Sequence, residues 1–341
     1  MRRRNRLVDY LVYVMIRLLI ALVQIVRIET AYRWADSLAR LLYRVDARHR
    51  KVAIENITHA FGDSLTPRQR EAMVLETYRH FCRVLMEIIQ IPRILSYENY
   101  PRFIKLTNHQ CVIDHLLRGS STMLLTGHYG NWEMAVYFVG ALGFPVYSIA
   151  RALDNPHADL YLRRFRERTG QKTIPKKGGY DQMLEVLTRG QTLGILSDQD
   201  AGQNGQFVEF FGRPASTHKA IALLGIEYSA TMYVAYARRI GPGFRFEVGI
   251  QGAVGPGDWA EQRQEVHFIT QRYTELLEAA IRMSPEQYFW LHRRWKHQPR
   301  PRTRKAGNPR DETKAGPHTS GTSEAQETVS QKDASGATSV A

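Results

Sequence analysis

Cysteine is scarce. The 341 residues hold two, Cys82 and Cys111, so neither a disulfide framework nor a C-x-x-C zinc site can be read from them. Both are expected to be ordinary thiols in a reducing compartment. A serine nucleophile in a G-x-S-x-G setting is also missing, which removes the usual strand–turn–helix acyl-enzyme motif. Acidic residues are in deficit, 33 Asp+Glu against 47 Lys+Arg, for a net charge of +14. That surplus favours an anionic partner, whether nucleic acid, an anionic membrane surface or an acidic protein, and does not choose among them. No internal repeat is present. After about Pro299 large apolar residues nearly vanish and Pro, Gly, Ser, Thr, Lys and Glu dominate. Such a segment cannot bury enough surface to fold, so residues 299–341 are predicted to be a disordered tail.

The remainder is rich enough in apolar residues (43% of the chain) for a sizeable core. At the N-terminus Arg2, Arg3, Arg4 and Arg6 precede an apolar stretch from Leu7 to Val26, broken by Asp9, Arg17 and Gln24. The stretch runs straight into Arg27, Ile28 and Glu29 without a small-residue cleavage site, which argues against a removed signal peptide. Its length suits a membrane span, whereas a central arginine costs about 2.5–3.5 kcal/mol on insertion scales. At helical spacing Arg6, Asp9, Arg17, Gln24 and Arg27 fall within roughly 80° of one another. Leu7, Leu11, Val14, Leu18, Leu22 and Ile25 occupy the opposite face. The helix is thus amphipathic with a wide apolar face. It can lie in the interface, or insert with its polar stripe against its own protein, its arginines staying on the cytoplasmic side. Residues 1–28 are read as a membrane anchor and 29–298 as the catalytic domain.

Residues 30–95 carry apolar positions at helical spacing, and Thr66-Pro67 is a helix start, with Thr66 as cap and Pro67 in the first turn. From about 120 short strands alternate with helices. Strands are predicted at 123–126, 145–149, 172–175, 192–196, 232–237 and 244–250, the last two joined by Gly241-Pro242-Gly243. Helices are predicted at 132–139, 156–169, 180–189, 217–228 and 259–283. This alternation indicates an α/β fold, a sheet covered by helices.

Chemistry concentrates in Gly127-His128-Tyr129-Gly130-Asn131-Trp132-Glu133. Five residues on a straight helix separate two side chains by about 140°, so His128 and Glu133 would not meet there. They can meet if His128 sits in a turn and Glu133 in the first turn of a following helix, with Asn131 as cap. A histidine oriented by a carboxylate can act as a general base; a structural ion pair is the alternative. Arg151, Arg163, Arg164, Arg166 and Arg168 form a basic cluster that serves either as a solvated face or to bind an anionic group. Asp198 and Asp200 alternate at a strand end. Structural hydrogen bonding, active-site positioning and a D-x-D metal site are all open to them. Trp290, His292, Arg293, Arg294, Trp295 and Lys296 could stack on RNA, but contact with a lipid headgroup, an acidic carrier protein or the protein's own core fits better. His218 and His267 carry no motif.

The histidine segment resembles the H-x-x-x-x-[D/E] motif of glycerolipid acyltransferases, and more closely the H-x-G-N-W-E version of the bacterial lipid A biosynthesis (lauroyl and myristoyl) acyltransferases. Further matches follow in that family's order. They are Asp198-Gln199-Asp200-Ala201-Gly202, the run Phe207 to Ala215 with Glu209 where the family often has proline, and the run Pro285 to Lys296. The resemblance covers roughly residues 1–298. It implies a glycerolipid-acyltransferase-like α/β fold and transfer of an acyl chain from acyl carrier protein, or less often coenzyme A, to a hydroxyl of a membrane glycolipid, foremost a lipid A precursor. It implies no cofactor beyond the acyl donor, and a place on the bacterial inner membrane facing the cytoplasm. His128 would be the base and Glu133 would orient it. Backbone N–H groups near Gly130 and Asn131, or an arginine, would receive the oxyanion. Aligning on Asn155-Pro156 places the family's functional arginine at Arg166, with Arg164 the near alternative. Asp198 and Asp200 would help to position substrate. Other acceptors (a phosphatidylinositol mannoside, an ornithine lipid, a lysophospholipid), an inactive membrane-binding scaffold and a metal-dependent glycosyltransferase using Asp198 and Asp200 are the competing readings.

Overall fold

A computed structural model describes residues 6–168 and 170–299. Arg2, Arg3, Arg4 and the predicted tail from 300 onward lie outside the described residues. Four helices open the chain: α1 (Arg6–Ile25), α2 (Ile28–Val45), α3 (Ala47–Phe61) and α4 (Pro67–Ile94). There follow β1 (Ile104–Thr107), α5 (Gln110–Leu117), β2 (Thr122–Thr126), α6 (Trp132–Ala141), β3 (Val146–Ala150), α7 (Pro156–Glu167), β4 (Gln171–Pro175), α8 (Tyr180–Thr188) and β5 (Thr192–Leu196). The chain continues through β6 (Gln206–Phe210), β7 (Arg213–Thr217), α9 (Ala220–Glu227), β8 (Thr231–Arg239), β9 (Phe246–Val254), α10 (Pro256–Trp259) and α11 (Glu265–Arg282).

Seven strands form one sheet in the order β1-β9-β8-β2-β5-β3-β4. Every neighbouring pair is parallel except β8 and β9. Strand β2, Thr-Met-Leu-Leu-Thr, is buried along its whole length, as a parallel strand covered on both faces requires. It pairs with β5 from Thr122↔Thr192 to Thr126↔Leu196, and Ser197 N–H extends this ladder to Thr126 O at 2.8 Å. The α/β reading holds, and the strands read from sequence all form within a few residues of their predicted bounds. Not read were β1, α5 and both strands of the antiparallel hairpin β6–β7, which stands apart from the main sheet. The predicted helix at 259–283 forms only from Glu265, as α11, and the short α10 precedes it.

The predicted cap of α4 is present. Thr66 Oγ1 accepts from Gln69 N–H, and the Gln69 side chain accepts in return from Thr66 N–H at 2.8 Å, with Pro67 in the first turn. Helix α1 buries only Val23, while Leu7, Leu11, Leu18, Leu22 and Ile25 are exposed. Its polar stripe is turned onto the protein. Asn155 Nδ2 donates to Asp9 O at 2.7 Å. The Arg17 guanidinium lies 4.7 Å from the Tyr161 ring centre on α7. Toward the other end Gln24 Nε2 donates to Ile89 O on α4 at 3.3 Å, and Gln90 Nε2 to Val23 O at 2.6 Å. Among the described residues α1 is the one helix long and apolar enough to cross a bilayer.

Candidate active site

The turn between β2 and α6 carries His128, and its shape is fixed from below. Gly130 has φ +58°, and a Cβ there would lie 2.2 Å from Ala237 O, so only glycine fits. Gly130 N–H donates to Gln287 O at 3.0 Å and Asn131 N–H to Ala237 O at 2.7 Å. The Asn131 side chain caps α6, accepting from Met134 N–H at 2.9 Å, as predicted, and donates to Glu87 Oε2 at 2.8 Å. Asn131 is fully buried. The two backbone N–H groups expected to receive an oxyanion are therefore already bonded within the protein. Gly130 and Asn131 shape the turn instead of facing a substrate.

Behind the turn lies a buried polar cluster that no motif announced. Arg239 Nε donates to Glu87 Oε1 at 2.6 Å, and Tyr32 Oη donates to the same oxygen at 2.7 Å. His80 bridges Arg239 and Gly130, at 3.2 Å and 3.1 Å. Burial, with the Arg239 charge beside it, holds the His80 pKa well below the ordinary value. It is neutral, with Nε2–H donating to Gly130 O and Nδ1 accepting from Arg239. These bonds, which leave Arg239 Nη2 without a partner among the described residues, tie α2, α4 and β8 to the one turn.

The carboxylate that orients His128 is Asp198, not Glu133. His128 Nδ1 lies 2.9 Å from Asp198 Oδ1, and His128 N–H donates to Asp198 Oδ2 at 2.8 Å. Each residue sits two positions beyond its strand, β2 and β5, whose ends are paired. The register therefore continues into the site. Asp198 is buried. Burial alone would raise its pKa. The His128 ring and N–H, with His292 behind, more than offset that and hold it well below the usual carboxylate range. Burial likewise opposes a charged His128, yet the Asp198 charge and hydrogen bond outweigh it and the imidazole pKa is raised. The ring is walled by Trp132 and Phe289, at centroid distances of 5.2 and 6.0 Å. With Nδ1–H committed to Asp198, Nε2 is the nitrogen left for a substrate.

Glu133 is in the first turn of α6, as predicted, but it accepts from two nitrogens of the Arg166 guanidinium on α7, Nη2 to Oε1 and Nε to Oε2, the latter at 3.1 Å. His128, Glu133 and Arg166 all line one cavity of about 960 Å³, at the large end of the range for small-molecule sites, ~300–1,000 Å³. Its depth is apolar, with Val112, Leu116, Leu124, Val136, Phe138 and Ile250 among the lining. Arg164, the alternative to Arg166, is exposed and does not line it. Arg163 pairs with Asp159. The two aspartates of D-x-D do not converge on one point. Asp200 Oδ2 faces His297 Nδ1 at 2.6 Å, while Asp198 serves His128. Of the C-terminal basic run, Trp290, Arg294 and Trp295 belong to the core, with Arg294 donating to Ser216 O and Thr217 Oγ1, both at 2.6 Å. His218 lines the cavity, and His267 contacts Gln206.

A mostly parallel sheet thus carries a histidine–carboxylate pair at its carboxyl edge, where it opens on a largely apolar cavity. Over residues 1–297 the chain matches the model of the bacterial lipid A biosynthesis acyltransferases, and it belongs to that family. It is 23% identical to the lipid A biosynthesis lauroyltransferase of Escherichia coli over 270 residues, 79% of this chain and 86% of the relative. It is 29% identical to the phosphatidylinositol mannoside acyltransferase of Mycolicibacterium smegmatis over 194 residues. That match covers 54% of this chain and 60% of the relative. A lipid A biosynthesis acyltransferase of Haemophilus influenzae is 24% identical over 263 residues, 76% of this chain and 81% of the relative.

Proposed function

We propose that this protein is an O-acyltransferase that moves a fatty acyl chain from acyl carrier protein, or acyl-coenzyme A, to a hydroxyl of a membrane glycolipid. A lipid A precursor is the first candidate acceptor. The observation that carries the reading is His128, oriented by a buried Asp198, at the wall of a 960 Å³ apolar cavity. His128 Nε2 takes the proton of the acceptor hydroxyl, and the oxygen attacks the thioester carbonyl. The tetrahedral oxyanion then collapses. The C–S bond breaks, the new C–O ester bond remains, and the imidazolium returns its proton to the departing thiolate. Asp198 keeps the tautomer and stabilises the imidazolium. Arg166, held by Glu133 at the cavity wall, is the arginine we assign to the oxyanion, the N–H groups of Gly130 and Asn131 being engaged elsewhere. The apolar cavity receives the acyl chain.

The exposed apolar face of α1 supports attachment to the bacterial inner membrane from the cytoplasmic side. The bonds that hold α1 to the domain near both of its ends favour a helix lying along the interface over one that spans the bilayer. The higher identity to a phosphatidylinositol mannoside acyltransferase favours that glycolipid as the second acceptor. The test offers the purified protein labelled acyl donors and total lipid extract, with the acylated product identified by mass. The expected result is a single ester-linked acylated glycolipid. Its formation at the normal rate by His128→Ala would refute the mechanism, and no transfer to any lipid by well-folded protein would leave an inactive membrane-binding scaffold.

A further inference from the structure

Two cations at the cavity mouth have no role in the chemistry above. Arg151 follows β3 by one residue and Lys176 follows β4 by one residue, and both line the cavity that holds His128. Strands β3 and β4 are paired in register up to Ala150↔Pro175, and Lys176 N–H continues the ladder to Ala150 O at 2.8 Å. The ladder thus sets Arg151 and Lys176 side by side. Like charges placed opposite one another across a strand pair repel, and neither side chain has an acidic partner among the described residues. Among the described residues the one acid lining the cavity is Glu133, which is paired with Arg166. His218 and Gln199 also line the cavity. Burial and the charges of Lys176 and Arg294 hold His218 below the ordinary imidazole value against the opposing pull of Asp200, so it adds a neutral polar group.

We propose that Arg151 and Lys176 form a phosphate-recognition site that seats a phosphorylated substrate at the carboxyl edge of the sheet. This rests on the acyl-transfer reading, which it deepens by naming a substrate class. A phosphate relieves the repulsion of the paired cations and accepts charge-assisted hydrogen bonds from both. Its distance from the base follows from strand order. The sequence β2-β5-β3-β4 puts Arg151 two strands and Lys176 three strands from His128, or roughly 10 and 14 Å at about 4.8 Å per strand. The phosphate is therefore remote from the reacting hydroxyl and positions the substrate without taking part in bond making. It can belong to the acceptor headgroup or to the arm that carries the acyl thioester.

Dodecyl phosphate and the uncharged dodecyl maltoside serve as probes, with binding followed by intrinsic tryptophan fluorescence. Wild type is expected to bind the phosphate at least about tenfold more tightly, two charge-assisted contacts being at stake. Arg151→Gln/Lys176→Gln is expected to lose that preference, and His128→Ala to keep it. Equal binding of both probes by wild type, or a preference that survives in the double variant, overturns the site. A preference seen in a protein that transfers no acyl group leaves the site standing while the transferase reading falls. In the turnover assay the double variant raises KM for the substrate that bears the phosphate, with kcat within about threefold. A rise for the acceptor assigns the phosphate to the headgroup, and a rise for the donor assigns it to the carrier arm. No rise in either KM counts against the proposal.

Discussion

At the residue scale the decisive contact is His128 with Asp198. A base must be neutral to accept a proton, so kcat/KM should fall as pH drops through the His128 pKa, which Asp198 raises above the ordinary ~6.5. Asp198→Asn removes the cause of that rise and leaves burial, which acts the other way. The acid limb of the pH profile should therefore move to lower pH, while the rate above it drops by about 10²–10⁴ through loss of the tautomer and of imidazolium stabilisation. An acid limb unmoved in Asp198→Asn would place the titrating base elsewhere. The pair also has a stability signature. The raised His128 contributes stability present below its unfolded pKa and lost as pH rises through the folded value. The depressed Asp198 contributes stability present above its unfolded pKa and lost only in strong acid. Both contributions are complete between about pH 4 and 6.5, where urea melts should give the highest midpoint relative to Asp198→Asn. Gly130→Ala should lose at least about 1–2 kcal/mol from the left-handed backbone alone, with more from the approach to Ala237 O. Chemical denaturation reads this directly. Much of the residue scale was legible in the sequence, including the turn around His128, the Asn131 cap and Glu133 in the first turn of α6. The partner of His128 was not. It lies 70 residues away and is reached only because β5 lies beside β2, a fact of topology that no local spacing encodes.

At the scale of elements, α1 combines a face that the domain holds with one that it leaves bare. Leu11→Glu/Leu18→Glu alters two exposed positions, removing about 1.5–3 kcal/mol of burial per leucine if that face enters lipid. Binding to anionic vesicles should fall by at least tenfold in a flotation assay, with the melting temperature unchanged; vesicle binding at wild-type strength would detach α1 from membrane attachment. The amphipathic division of α1 was readable from helical periodicity, and the capping box of α4 from Thr66 and Pro67. The β6–β7 hairpin was not readable. Its two-residue turn is Phe211-Gly212, with φ +52° and +69°, where the expected signals are Asn-Gly or Asp-Gly. A phenylalanine is tolerated there because its ring is buried against Phe61, Phe210 and Trp290, and tertiary packing overrides the local preference. Strand β1 and helix α5 were missed for a related reason. Their short runs, Ile-Lys-Leu-Thr and Gln-Cys-Val-Ile-Asp-His-Leu-Leu, are too brief to declare a period.

At the scale of the whole molecule, the buried Glu87–Arg239 pair joins the helical N-terminal region to the sheet. Removing one partner, as in Glu87→Gln, should cost about 3–5 kcal/mol because it strands the other charge. The loss should appear as a lower denaturation midpoint, whereas a change below 1 kcal/mol would mean that water reaches Arg239. The apolar cavity explains a further share of what sequence could not give. Its lining is collected from β1, β2, β9, α5, α6 and other elements scattered along the chain, so its extent exists only once the sheet has closed around it.

The His128–Asp198 pair inherits its alignment from the ladder Thr122↔Thr192 through Thr126↔Leu196. The ladder acts as a reading frame for the site. Connections between β2 and β5 can lengthen or shorten in a descendant gene without disturbing the pair, because both strand ends remain in step. One codon inserted between Leu196 and Asp198 shifts the frame, moves the carboxylate away from the imidazole and silences the site with almost every other contact intact.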